Sequence, residues 1–219
     1  ALYYGNFMGE LAEHQGHQGP LMVEAAGIQA PATRYETACA SSGAAVRSAV
    51  QTLRNGEADL LLVGGAERMT NLGTGGATEA LAIAADDLYE VRAGVTFPGA
   101  YALMANAYFE AFGGDREDLA AIAVKNHDNA VENEYAQYQK PIDVETVLEA
   151  PMVSAPLGLY DSCPISDGAS AVLMASDEYV ERNGLDAPVS ITGTGQGGDN
   201  LALQDREHLA QSPAADEAA

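Results

Sequence analysis

The stretch Tyr35-Glu36-Thr37-Ala38-Cys39-Ala40-Ser41-Ser42-Gly43-Ala44-Ala45-Val46 sets a cysteine at the junction of two patterns. Ahead of it, Ala32 to Thr37 has the length and the Thr/Tyr content of a strand. Behind it, small residues with Val46, Val50 and Leu53 recur at three- and four-residue spacing as far as Asn55-Gly56, a pair suited to ending a helix. Cys39 therefore falls at or just before a helix N-terminus, where unpaired backbone N–H groups and the positive end of the helix dipole favour an anion. A thiolate nucleophile suits such a place. A small buried core residue is the plainer use of a lone cysteine among Ala and Ser, and both readings stay open on this stretch alone.

The next segment, Glu57 to Thr70, reads Glu-Ala-Asp-Leu-Leu-Leu-Val-Gly-Gly-Ala-Glu-Arg-Met-Thr, a buried strand ending in a glycine turn. Cys-x-Ser-(Ser)-Gly opening a helix, followed by an apolar strand that closes in Gly-Gly-Ala-Glu-x-Met-Thr, resembles the N-terminal half of a thiolase. The resemblance is to the sterol-carrier-protein-type and archaeal acetyl-CoA acetyltransferase branch. It implies that Cys39 is the acylated nucleophile.

At 219 residues and 47% apolar content the chain can bury a sizeable core. Its net charge of −22 sets ten basic residues, only Lys125 and Lys140 of them lysines, against 32 acidic ones. The acids are spread between apolar periodic segments, unlike a disordered acidic tail. At molar salt the Debye length falls to about 3 Å and the self-repulsion of such a surface is screened, so a halophilic host is expected, and a haloarchaeon in view of the resemblance. No basic patch is present to neutralise phosphates, which disfavours nucleic acid as a partner. The distant cysteines without a C-x-x-C argue against a disulfide framework or a zinc site, and a reducing cytoplasm is the expected location. No apolar run approaches membrane-spanning length, and the opening Leu2-Tyr3-Tyr4-Gly5-Asn6 reads as a strand entering its turn, so truncation at both ends is expected.

His14 and His17 have metal-like spacing, but glycines surround them and no third ligand stands at helical spacing, so an exposed loop without metal is expected before a helix from Leu21 to about Ala26. Asn71 to Thr78 is glycine-rich without the Lys-Ser/Thr of a phosphate loop, and is read as a flexible loop. Residues 80 to about 155 change character to helices with acidic caps: Phe97 to Phe112 stopped by Gly113-Gly114, then a helix capped by Asp115 and carrying Leu119, Ile122 and Ala123. The resemblance identifies this as the thiolase loop domain. Lys125 to Tyr138 is similar to the Asn-His-x-Asn-Ala-x-x-Asn-Pro-x-Ala-Gln signature of the same branch, with Glu134 in place of the proline. It implies that His127 contacts substrate, although capping and bridging of helices is the plainer use. Met104 resembles the methionine bordering the acyl pocket; as a residue of an amphipathic helix its default is core packing.

Ala150 to Leu159 is extended and proline-punctuated, and leads into Tyr160-Asp161-Ser162-Cys163-Pro164-Ile165-Ser166-Asp167-Gly168-Ala169. The thiolase counterpart is a turn before a buried strand, with the preceding polar residues along the pantetheine of coenzyme A. Ser162 and Cys163 match those positions. A residue before proline is held extended and away from a helix start, so Cys163 is read as lining and not as a second catalytic cysteine. A last strand is predicted from Pro188 to Thr194. The Gly-x-Gly-x-x-Gly at Gly193 to Gly198 is followed by no packing helix and fails as a dinucleotide fingerprint.

The fold class implied is α/β: a partial thiolase-like fold, a mixed sheet layered with helices, with a helical loop-domain insertion. Residues 1–79 form the N-terminal half, 80–155 the loop domain, and 156–219 the return to the core and the start of a linker to an absent C-terminal half. The implied activity is acyl-CoA acyl transfer through an acyl-cysteine, as thiolysis of a 3-ketoacyl-CoA or as Claisen condensation, in lipid metabolism. No cofactor or metal is implied, only a coenzyme A thioester as substrate. A homo-oligomer, dimer or tetramer, is expected, with a small OB-fold partner subunit as in archaeal relatives. The alternatives are a ketoacyl or hydroxymethylglutaryl-CoA synthase, which share strand-Cys-helix, or a non-catalytic acyl-CoA-binding subunit. The Gly-His-Pro and Cys-x-Gly loops from which the family draws its acid/base are absent from these residues, so the chain alone is expected to be inactive.

Overall fold

The computed structural model describes residues 1–219. In chain order the first elements are β1 (Leu2–Gly5), α1 (Gly9–Ala12), α2 (Gln18–Ala25), β2 (Ala32–Tyr35), α3 (Ser41–Arg54) and β3 (Leu60–Glu67). Then come α4 (Gly73–Ala82), α5 (Phe97–Phe112), α6 (Arg116–Val131), α7 (Val144–Glu149), β4 (Met152–Ser154) and β5 (Leu157–Gly158). The chain closes with β6 (Gly168–Ala175), α8 (Asp177–Asn183) and α9 (Pro213–Ala218). Two compact units result: Ala1–Ala80 with Asp167–Gly197 and Ala214–Ala219, and Leu81–Ser166 with Gly198–Pro213. Residues 156–166 thus pack with the second unit.

The first unit is built on a mixed sheet in the order β2-β1-β3-β6, parallel except for the antiparallel β3–β6 pair. Strand periodicity decides its packed face. Leu61 and Val63 are sealed, whereas Leu60 is exposed. They meet Ala45, Ala49 and Val50 of α3 and Met174 of β6, with Tyr3, Tyr35, Val46 and Leu53 around them. Ala45 and Ala49 stand four apart on one helix face, and their small side chains let α3 lie close to the sheet.

The glycines read as a turn lie inside β3 instead: Gly64 and Gly65 pair with Ala171 and Ser170. The cause is steric. A β-carbon on Gly65 would come within 2.2 Å of Ser42 Oγ, and one on Gly5 within 2.5 Å of the Ser42 backbone nitrogen. The first turn of α3 therefore needs glycine in both strands.

Three other expectations are corrected. Asn71 to Thr78 is not a flexible loop: a 3₁₀ turn at Thr70–Leu72 leads into α4, with Ala77 fully buried. Gly73, at φ 63°, supplies the left-handed residue at the junction. Pro188 to Thr194 forms no strand, because no neighbouring strand completes a ladder with it; Gly195 and Gly197 lie against Ala218 and Ala214 of α9 instead. The strand after Gly168 is not buried, since Val172 and Leu173 of β6 are exposed. β6 is the sheet's edge, and of its residues Met174 joins the core under α3.

The second unit carries the expected helices with their caps. Thr96 Oγ1 accepts from Gly99 N–H at the start of α5, and Gly113, at φ 78°, ends it. Asp115 accepts from Glu117 N–H at 2.8 Å while Asp118 accepts from Asp115 N–H at 3.1 Å, a reciprocal cap on α6. Ala120 and Ala123 of α6 and Val147 of α7 form its core, with Val124, Ile142, Leu148 and Tyr160. Glu90 is a buried carboxylate, with both oxygens occupied by backbone donors: Asp86 N–H at 2.9 Å and Leu203 N–H at 2.6 Å. Those bonds offset the cost of burying its polar oxygens. No helix is long and apolar enough to cross a membrane.

Candidate active site

Cys39 lies four residues beyond the end of β2 and two before the start of α3, with its side chain exposed. Ala38, immediately before it, has φ 47°. That left-handed conformation costs a residue with a β-carbon roughly 1–2 kcal/mol, so the turn is sustained by its surroundings. Ala38 N–H donates to Glu36 Oε1 at 2.7 Å. Thr37 N–H donates to Ser41 Oγ at 3.0 Å, and Ser41 Oγ donates to the Ala38 carbonyl at 2.6 Å. The N-cap residue of α3 is Ala40, and no side chain caps the helix. In the first turn the Ser41 N–H is taken by the Ala38 carbonyl at 3.2 Å, and the N–H groups of Ser42 and Gly43, with the dipole of a 14-residue helix, supply positive potential at the Cys39 end. Between the start of α3 and strands β3 and β6 a shallow hollow opens, lined by Ser42, Val46, Val63, Gly65, Ser170 and Val172.

A polar network holds the ends of β1 and β3 near this turn. Asn6, buried, donates from Nδ2 to the Ala66 carbonyl at 2.9 Å and to Glu67 Oε2 at 3.2 Å, and accepts Gly9 N–H at Oδ1. Glu67 also accepts from the N–H groups of Phe7 and Met8. Arg34, on the strand that leads to Cys39, donates to the carbonyls of Asn6 and Phe7 and pairs with Glu10. That contact holds the Glu10 carboxyl below the usual range. Burial, and then the Glu67 charge, pushes the Tyr4 phenol up. Asp167 joins the start of β6 to the end of β3, accepting from Met69 N–H at 2.7 Å, Thr70 N–H at 3.0 Å and Thr70 Oγ1 at 2.6 Å. Thr70 chiefly, then Met69, hold its carboxyl below the ordinary value.

The other sequence-derived candidates all fall in the second unit. His127, half-buried on α6, donates from Nδ1 to the Lys140 carbonyl at 2.9 Å and meets the Tyr160 ring edge-on at 5.8 Å. With Nδ1–H so used, Nε2 of the neutral ring is an acceptor. Tyr160 brings the Leu159–Asp161 turn, just ahead of Ser162 and Cys163, against α6. Ser162 is half-buried, and Cys163, free and exposed, precedes Pro164. Met104 is half-buried on α5, on the face that carries Phe97, Tyr101, Tyr108 and Phe112. Tyr101, Tyr108 and Phe112 are exposed there, with ring pairs Phe97–Tyr101 and Tyr108–Phe112.

Sequence reasoning overlooked Asn6, Glu67 and Asp167. Asn6 and Glu67 stand next to Gly5 and just after Gly65, and a polar residue beside a strand-end glycine was the available signal. Their partners lie about sixty residues away in the chain, so no local pattern links them.

A strand, a strained turn bearing an exposed cysteine, and an uncapped helix on a mixed sheet define a thiolase-like α/β half, and residues 1–178 match the thiolase N-terminal domain. The chain belongs to the thiolase family. It is 39% identical over 210 residues to the acetyl-CoA acetyltransferase of Methanothermobacter thermautotrophicus, covering 95% of this chain and 54% of that one. The acetyl-CoA acetyltransferase of Methanocaldococcus jannaschii is 37% identical, over 98% of this chain and 55% of the relative. This chain therefore spans about half the length of these curated relatives. Human sterol carrier protein 2 is 30% identical over 71% of this chain and 30% of its own. Among solved structures, the Ltp2-ChsH2(DUF35) aldolase superposes with a TM-score of 0.72 at 22% identity, over 98% of this chain and 55% of that one. A monomeric SCP2-thiolase-like protein of Mycobacterium smegmatis gives 0.70 at 19% identity, over 99% and 45%. At those identities the two structures speak for the fold alone.

Proposed function

We propose that this chain carries the nucleophile of a thiolase-type acyl-CoA acyltransferase and that Cys39 is the residue acylated. The observation that carries the reading is the exposed Cys39 thiol on a strained turn at the uncapped start of α3. In thiolysis the Cys39 thiolate attacks the C3 carbonyl of a 3-ketoacyl-CoA. The C2–C3 bond then breaks, its electron pair stays on C2, and C2 takes a proton from a general acid as acetyl-CoA leaves. Coenzyme A thiolate then attacks the acyl-Cys39 carbonyl and Cys39 departs as thiolate. Claisen condensation is the reverse. The open N–H groups of α3 supply positive potential at the Cys39 end, where negative charge develops.

In this reading Met104 borders the acyl group, while His127, Ser162 and Cys163 lie along pantetheine. The family resemblance of their sequence contexts supports this, as does the contact of His127 with Tyr160, two residues before Ser162. The free state of both cysteines supports a reducing, cytoplasmic setting. The reading includes a homo-oligomer and a small OB-fold partner subunit; the partner draws support from the fold neighbour named together with a DUF35 chain. The test is incubation of the full-length protein with acetyl-CoA and mapping of the adduct by mass spectrometry: acetyl on Cys39 is expected, and acetyl on Cys163 with none on Cys39 refutes the assignment.

A haloarchaeal origin belongs to the same proposal, supported by the −22 charge. The thermal midpoint should rise between dilute buffer and molar KCl, where repulsion among acids is screened; a flat response discards it.

A further inference from the structure

Ser41 is only 4% exposed, although Ala40, Ser42 and Gly43 beside it are exposed. Its hydroxyl accepts from Thr37 N–H at 3.0 Å and donates to the Ala38 carbonyl at 2.6 Å. The same carbonyl accepts from Ser41 N–H at 3.2 Å. One buried oxygen thus closes a ring over the turn from both of its ends, and Cys39 stands inside that ring. Ala38 is the strained residue of the turn, at φ 47°, and a residue with a β-carbon stays left-handed only when its surroundings hold it. The other side-chain contact on the turn, Glu36 to Ala38 N–H, comes from an exposed carboxylate in competition with water. The buried hydroxyl is the stronger restraint.

Resting on Cys39 as the nucleophile, we propose that Ser41 is its positioning residue: the hydroxyl holds Ala38 left-handed and thereby keeps the Cys39 thiol presented at the head of α3. Ser41 touches no substrate atom in this scheme and acts through the backbone on either side of the cysteine. A role in general stability would lower the unfolding midpoint without a selective effect on Cys39.

Cys163 supplies an internal control, because it lies in the other unit, far along the chain. The chain of residues 1–219 is treated with iodoacetamide, and the labelling rates of Cys39 and Cys163 are read as a ratio by mass spectrometry. Two lost hydrogen bonds should lower the ratio about tenfold in Ser41→Ala, and Ser41→Thr, which keeps the hydroxyl, should restore it. In the double variant Ser41→Ala with Ala38→Gly, glycine enters the left-handed region unaided, so most of the parent ratio should return. An unchanged ratio in Ser41→Ala overturns the proposal, and so does a double variant as impaired as the single one. Should Ser41→Ala fail to unfold cooperatively, the comparison moves to the Ala38→Gly background. Failure there as well means that the hydroxyl holds the fold and not the turn, which also overturns it. Acetyl-CoA given to the full-length protein separates this from the underlying reading: no acetyl on its Cys39, with the labelling ratio still falling in Ser41→Ala, refutes the nucleophile and leaves Ser41 as the keeper of the turn.

Discussion

Cys39 and Cys163 are both free and both exposed, yet the backbone presents them in opposite ways. Cys39 follows a left-handed residue and precedes a 14-residue helix with no side-chain cap. Cys163 sits between a 3₁₀ turn and Pro164 in an irregular stretch, with no helix behind it. With Cys39 proposed as the nucleophile, it is the setting of the thiol, a strained turn at a helix start, and not its exposure that separates the two, because a nucleophile must be held in place.

The largest expected effect breaks this comparison if it fails. In the full-length protein Cys39→Ser should abolish acyl adduct formation from acetyl-CoA, since a hydroxyl cannot ionise on a helix dipole alone, whereas Cys163→Ser should leave the adduct in place. Equal losses in the two variants would mean that position in the fold does not separate the thiols.

A second experiment sharpens the contrast within the Cys39 region. Gly65→Ala drives a methyl group into Ser42 Oγ and should cost about 1–3 kcal/mol, seen as a lower thermal midpoint, together with slower labelling of Cys39. Gly43→Ala, on α3 with nothing within 4 Å of the added carbon, should raise stability by up to about 1 kcal/mol. Similar midpoints for both would show that the close approach of α3 to the sheet is not maintained in solution.

The smallest effect concerns two exposed carboxylates, one in each unit. Asp167 is held below its ordinary value by Thr70 and then Met69, and Asp143 by Thr146 at the start of α7. A carboxyl with a depressed value in the folded state contributes stability that is fully present above its unfolded value, about 3.9, and is lost as pH falls through the folded one. Asp167→Asn should therefore lower the midpoint at neutral pH and flatten its decline below about pH 4. Asp143→Asn should do the same to a lesser degree, since its cap serves a six-residue helix. An acid limb unchanged in Asp167→Asn would show that its three hydrogen bonds form equally well without the charge.

Much of the chain was legible because its signals are local. Thr96, Pro98 and Gly113 bound α5 at Phe97–Phe112, and Asp115 with Asp118 starts α6, as caps written within four residues of the elements they serve. The strand-Cys-helix order was legible for the same reason. Asn71 to Thr78 misled because its glycines outweighed the spacing of Thr74, Ala77 and Leu81; burial of Ala77 against the protein interior tipped the segment into a helix. Pro188 to Thr194 misled because strand-like composition forms a strand only where a partner ladder exists.

By itself the sequence determined the family, the span of α5, the cap of α6 and the cysteine worth testing, since each rests on residues close together in the chain. Tertiary structure alone decided why Gly5 and Gly65 cannot carry a side chain, how Glu67 and Asn6 bind strand ends sixty residues apart, and that β6 is an edge with Val172 and Leu173 outward. It also decided that Ala38 is left-handed over a buried Ser41 hydroxyl. The physical reason is common to all of these. Close packing and the satisfaction of buried polar groups are properties of what approaches a residue in space, and a chain pattern with a period of two or 3.6 carries no information about that neighbour.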